Sequence, residues 1–254
     1  MDKTTPGFTD LLRLIDDRAT AFRAAIAAAP DLDAQVPTCP DWTLRDLAQH
    51  LGERRHFWAV TVAAGPADVP PTVEPTPAPR EREALLAWLA DAFQRFLDAL
   101  RTVGPDRACW TWWGASESPR TTGAVARHQL QEMAVHTYDA QLTAGIPQPL
   151  PYEAALDGID EFLSTCCATT SPWPHQPAQI DFHTPDGHTW RLILSARGAV
   201  VARPPLTAVL PAASVRAPAP DLVLALHGRI PLDTLELAGD SGYFDLLAEW
   251  EPED

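Results

Sequence analysis

The stretch HQLQEMAVHTYD, residues 128 to 139, puts His128, Glu132 and His136 at intervals of four. On a helix, residues four apart share a face. Two imidazoles and a carboxylate therefore line up along one side. Glu132 and His136 are one turn apart and can both reach one ion. His128 is two turns from His136, ~12 Å along the axis at ~1.5 Å per residue, too far to share it. Asp139 follows one turn after His136, where a carboxylate can hold an imidazole from behind; a surface carboxylate near the helix end fits the same spacing. A third ligand must come from a facing helix. His50 supplies one, lying between Leu47 and Leu51 on an apolar face. Two histidines and a glutamate leave one position of a tetrahedral ion open, the arrangement of a catalytic rather than a structural zinc site. The same residues could instead be solvated pairs and a satisfied core histidine. What favours an ion is the cost of burying a glutamate that is neither paired nor ligated.

Four long helices can carry these groups. Residues 8 to 29 form an apolar stripe at helical spacing through Leu11, Leu12, Ile15, Ala19, Phe22 and Ile26. The second helix starts after Thr43, a good N-cap with Asp46 near the first-turn amides, and runs to Gly65. Its inner face carries Leu44, Leu47, Leu51 and Trp58. A proline-rich connection follows over 65 to 79. The third helix covers about 80 to 103. A loop with Trp110, Trp112 and Trp113 leads to the fourth, about 121 to 144, stopped by Gly145 with Pro147 beyond. Trp42, Trp58 and Trp88 are most simply core; the loop tryptophans could also line a pocket.

A bundle of four helices is the economical packing, with a fifth helical segment following from about residue 151. Beyond residue 171 the period changes from 3.6 to 2. AQIDFHT and TWRLILSA alternate around the turn PDGH as a hairpin, GAVVARP reads as a third strand, and residues 219 to 250 read as a helix, a short strand or turn, and a final helix. The fold class is α+β, mainly α: residues 1–170 a helical bundle, 171–254 a small α+β domain.

The formal net charge of −15 excludes a nucleic-acid surface, since no basic run opposes it, and disfavours an anionic membrane surface. Acids stand where a signal peptide needs an apolar core, and no run approaches a membrane span. A cytoplasmic protein is expected. Cys39, Cys109, Cys166 and Cys167 form no CxxC pair and fit incidental thiols in a reducing compartment. One lysine stands against 18 arginines, the bias of a GC-rich genome such as an actinobacterium's.

Several of these segments resemble the mycothiol-dependent maleylpyruvate isomerase family. VPTCPDWTLRDLAQHLG (36 to 52) is similar to its tryptophan turn and Asp-Leu-x-x-His-Leu helix. QEMAVHTYDAQLTAG (131 to 145) resembles its His-Glu-x-x-x-His-x-x-Asp-Ala motif. DGIDEFL (157 to 163) and DLVLALHGRIPLDTLELAGD (221 to 240) resemble its later motifs. The sequence departs at Asp41, where glycine is usual, at Gln131, where histidine often stands, and at His227, where tryptophan often stands. The resemblance implies a DinB-like bundle, then a domain similar to sterol carrier proteins. It implies a zinc ion on His50, Glu132 and His136, and mycothiol as cofactor or co-substrate.

A free thiol with a pKa near ~8.5 is mostly protonated at neutral pH, and a divalent cation favours its thiolate. Addition to a small electrophile then gives cis–trans isomerisation if the thiol is expelled after rotation, or S-transfer if it stays. Arg229, in the Gly-Arg motif, is the candidate for a substrate or cofactor carboxylate; a surface arginine near Asp233 or Glu236 is its other reading. The rivals are a hydrolase using metal-activated water, a non-catalytic metal or small-ligand module, and a bundle whose polar residues merely pair. The expected partners are a small electrophile and mycothiol, with a monomer favoured.

Overall fold

The computed structural model describes residues 5–204 and 209–252. Four long helices dominate its first part: α1 (Phe8–Ala28), α2 (Leu44–Ala64), α3 (Arg82–Val103) and α4 (Thr122–Thr143). Their ends follow local chemistry. Thr43 and Asp46 form a reciprocal capping box at the start of α2, with Thr43 N donating to Asp46 Oδ2 at 2.8 Å and Asp46 N donating to Thr43 Oγ1 at 3.2 Å. Gly65 and Gly104 end α2 and α3 in left-handed backbone, which glycine adopts without steric cost. The expected stripe of α1 is buried from Leu11 to Ile26.

Within the bundle α1 packs on α3 and α4, and α2 on α3 and α4. Most of α4 is buried, including His128, Gln129, Gln131, His136, Thr137 and Asp139. A helix buried on several sides loses the one-sided pattern of a surface helix; here the polar side chains sit inside. The α2–α3 contact is close because residue 52 is glycine: a Cβ there would lie 2.0 Å from the Trp88 ring. Between α1 and α2 runs a small antiparallel hairpin, β1 (Gln35–Val36) and β2 (Cys39–Thr43). The sequence reading treated that segment as a turn only.

The second part begins with α5 (Tyr152–Phe162), continued by a π-helical turn over Leu163–Cys167. A five-stranded sheet follows, in the order β5-β4-β3-β6-β7. Strands β3 (Ala178–His183), β4 (Thr189–Ser195) and β5 (Gly198–Ala202) form an antiparallel meander. β6 (Ala213–Arg216) joins β3 in parallel and β7 (Glu236–Gly239) pairs with β6. The helices α6 (Ala219–Leu226) and α7 (Gly242–Glu249) flank β7 in the chain. The fold is α+β and mainly α, as expected. The hairpin and third strand stand where the period-two pattern put them; β6 was not foreseen.

The two compact units are Met1–Trp112 with Arg120–Ala154, and Trp113–Pro119 with Ala155–Asp254. The division therefore falls within α5, near its start, whereas the sequence reading placed it after residue 170. The physical reason lies in α5 itself: Trp190 in β4 donates to Asp160 Oδ1 at 3.1 Å and Arg203 pairs with the same carboxylate, tying the helix to the sheet. No helix among the described residues is long and apolar enough to cross a membrane.

Gly52→Ala tests the α2–α3 approach. Alanine gains ~1 kcal/mol over glycine in a helix interior, but overpacking typically costs about 1–3 kcal/mol. With the Trp88 ring 2.0 Å away, the clash should win and the urea midpoint should fall with an unchanged slope. A raised midpoint would show that the indole yields freely.

Candidate metal centre

Three elements of the first unit build the site. α2, fixed at its start by the Thr43 cap, presents His50. α4 presents Glu132 and His136, one turn apart, and Asp139 one turn further. The β1–β2 hairpin brings Thr38, Cys39 and Trp42 alongside.

The ligand atoms of His50, Glu132 and His136 all lie within 4.8 Å of one another. His50 Nε2 stands 3.8 Å from Glu132 Oε2, and His136 Nε2 stands 3.9 Å from the same oxygen. Hydrogen bonds between such groups span about 2.7–3.2 Å, so both separations are too long for direct pairing. A tetrahedral cation with ligand bonds of ~2.1 Å holds its ligand atoms ~3.4 Å apart. The two measured spacings exceed that by a few tenths of an ångström, so the His2Glu set fits a divalent cation better than it fits a closed network. Among the described residues this is the one group of three or more such side chains arranged to share an ion.

His136 is held from behind. Its Nδ1 lies 2.9 Å from Asp139 Oδ2, and Asp139 is fully buried. Thr38 Oγ1 donates to the other carboxylate oxygen at 2.6 Å, and Cys39 Sγ stands 3.9 Å from Oδ2. A carboxylate on Nδ1 keeps the proton there and leaves Nε2 free to face the trio. Trp42, expected to be core, is only half-buried. Its ring lies 4.7 Å from the His50 ring and 6.1 Å from the His136 ring, centroid to centroid. It covers one side of the imidazole pair.

Charge around Glu132 is positive. Burial pushes its carboxyl up, but His50, His136, His128 and Arg55 together outweigh that and hold it well below the ordinary carboxylate range. It is thus an anion at neutral pH, as a metal ligand must be. Sequence reasoning missed Arg55. It is fully buried, donates through Nη1 to Gln129 O at 3.2 Å and lies 5.4 Å over the Phe96 ring. Burial pulls its guanidinium down to about 10, with Glu132 acting against that, so it remains charged at pH 7. One of two adjacent arginines in ERRH carries no signal in the sequence that it points inward. His128 is buried beside Trp112, with ring centroids 5.5 Å apart, and stands outside the trio. Arg229 belongs to the second unit, where its Nη1 donates to His227 O at 2.7 Å.

Two family models match the chain: the mycothiol maleylpyruvate isomerase N-terminal domain over residues 12–141, and the MDMPI C-terminal domain over residues 153–245. The chain belongs to the mycothiol maleylpyruvate isomerase family. The family is named for an isomerase, and the break between its two matched domains falls at the junction of the two units described above. The fold agrees as well. Crystal structures of the mycothiol-dependent maleylpyruvate isomerase and of a histidine-to-alanine mutant align with TM-scores of 0.56 and 0.58. Each alignment covers 92% of this chain and 93% of the other at 13% identity, so the likeness is one of fold. No curated protein sequence matches the chain.

Asp139→Asn should retain the fold and weaken any affinity of the trio for a divalent cation about 10- to 100-fold, the usual cost of losing a carboxylate behind a metal-holding histidine. Competition against a chromogenic chelator measures it, and an unchanged affinity removes Asp139 from the site.

Proposed function

We propose that the protein is a metal-dependent enzyme that uses mycothiol as cofactor or co-substrate to act on a small electrophile, by cis–trans isomerisation or by S-transfer. The observation that carries the proposal is the convergence of His50, Glu132 and His136, with Asp139 behind His136, in a chain that belongs to the mycothiol maleylpyruvate isomerase family.

His50, Glu132 and His136 would hold a divalent cation, for which zinc suits two imidazoles and a carboxylate. When bound, the cation favours the thiolate form of a thiol that reaches it. The other roles belong to the chain itself. Asp139 orients His136 and holds the proton on Nδ1. Arg55 supplies buried positive charge near Glu132, which offsets the cost of keeping that carboxylate ionised away from water. Trp42 shields the imidazoles from solvent on one side. Arg229 is proposed to pair with a carboxylate of substrate or thiol, as arginine does with bidentate geometry.

The protein's own buried thiols are poor nucleophiles. Burial pushes Cys109 up to about 11 and Cys167 up to about 12, so at neutral pH both are protonated. An external thiol is the better source of a thiolate.

Elemental analysis of purified protein should find one divalent metal per chain. His50→Ala and His136→Ala should each lose the metal and the thiol-dependent activity while keeping most of their helicity by circular dichroism. Stoichiometric zinc in either variant after dialysis would overturn the ligand assignment. Mycothiol-dependent isomerisation of maleylpyruvate, set against conjugation of monochlorobimane, separates isomerase from S-transferase; hydrolysis without any thiol would instead point to metal-activated water. Arg229→Ala should raise KM for one reactant with the metal retained, and unchanged KM values for both would exclude that role.

A further inference from the structure

A cleft of about 560 Å³ lies in the first unit between α2, α3 and the proline-rich segment at residues 73–76. Its size is that of a site for a small molecule. Two features connect it to the candidate metal centre. His50 borders the cleft as well as the trio. Its second ring nitrogen has no protein partner among the described residues, whereas His136 has Asp139. Histidines that hold a metal ordinarily place that nitrogen on a carboxylate, a carbonyl or a water. A molecule bound in the cleft that His50 borders would supply that partner.

The lining chemistry narrows the occupant. Trp88 and Phe57 offer aromatic surface. Three carboxylates (Glu53, Glu74 and Asp91) stand with two arginines (Arg54 and Arg95), and Arg95 is tied to Asp91 at 2.6 Å. A dianionic electrophile finds no net positive field here. A neutral, hydroxyl-bearing molecule finds donors, acceptors and ring faces. The wall opposite α3 is pinned rather than loose: Gln49, next to His50, donates through Nε2 to Thr76 O at 3.2 Å and accepts from Ala78 N. This clamp ties the proline-rich segment to the turn of α2 that carries the ligand.

We infer that this cleft binds the polyhydroxylated arm of the thiol, with a hydroxyl or amide oxygen of that arm accepting from His50. The inference rests on the thiol-dependent reading above. Mycothiol carries its sulfur on an N-acetylcysteine joined to a glucosaminyl-inositol, so one end suits the trio and the other suits the cleft. The short thiol N-acetylcysteine lacks the two rings. A cleft so occupied would favour the large thiol over small ones.

The test uses the sulfur-free glucosaminyl-inositol fragment as the calorimetric ligand, with the metal-free and metal-loaded full-length protein. Having no sulfur, the fragment does not depend on the cation. It should bind both forms, and it should compete with mycothiol for the loaded form but not with N-acetylcysteine. Gln49→Ala, which frees the wall, and Glu53→Gln, which alters a lining carboxylate, should each weaken fragment binding at least tenfold with metal content unchanged. Failure of the parent protein to bind the fragment overturns the inference, as does equal binding by folded variants of both kinds. Absence of metal from the parent, with the fragment still bound, would instead overturn the metal-dependent reading and leave the cleft assignment standing. A dicarboxylate that displaces the fragment would assign the cleft to the electrophile and also overturn the inference.

Discussion

A carboxylate with no exposure to solvent organises the N-terminal unit. Asp139 faces Thr38 Oγ1 with one oxygen and His136 Nδ1 with the other. An ionised carboxylate withdrawn from water costs several kcal/mol unless its lone pairs are satisfied. The hairpin before α2 and the last turns of α4 must therefore meet in one arrangement. Thr38 immediately precedes the short strand that contains Trp42, so anchoring the first also sets the second beside the two imidazoles. One buried carboxylate thereby sets the tautomer and ring plane of His136 and the place of Trp42 beside it.

The composition of α4 follows from the same logic. A helix in the interior of a bundle would ordinarily be apolar all round. α4 instead buries glutamines, histidines and an aspartate, which is tolerable only where partners exist. Arg55 approaches from α2, held by a carbonyl of α4 and by the face of Phe96 on α3. Positive charge from Arg55 acts on Glu132, and the Asp139 carboxylate stands behind His136. Imidazoles and guanidinium thus share the Glu132 carboxylate as their common counterion.

Much of this was legible in the chain. The long helices declared themselves by stripes at helical spacing and by punctuation at Thr43, Gly65 and Gly145. The trio was legible because an i, i+4 pair and a histidine on an apolar face are patterns of covalent spacing. Asp139 was only half legible, since spacing locates a carboxylate but not its burial. Trp42 and Arg55 were not, because their roles depend on how two helices and a hairpin face each other. The short strands β1, β2 and β6 are too brief to show a period. The sequence reading put the boundary after residue 170 because a helix that packs on a sheet has the same stripe as one that packs in a bundle.

The bare backbone at Gly52 has one more implication. Because the Trp88 indole rests against it, that ring is recessed into the wall of the cleft instead of standing across it. In relatives, a bulkier residue at this point would tilt the indole outward and shorten the cavity. The size of the side chain at this one position, two residues from His50, would then set the length of molecule the cleft admits.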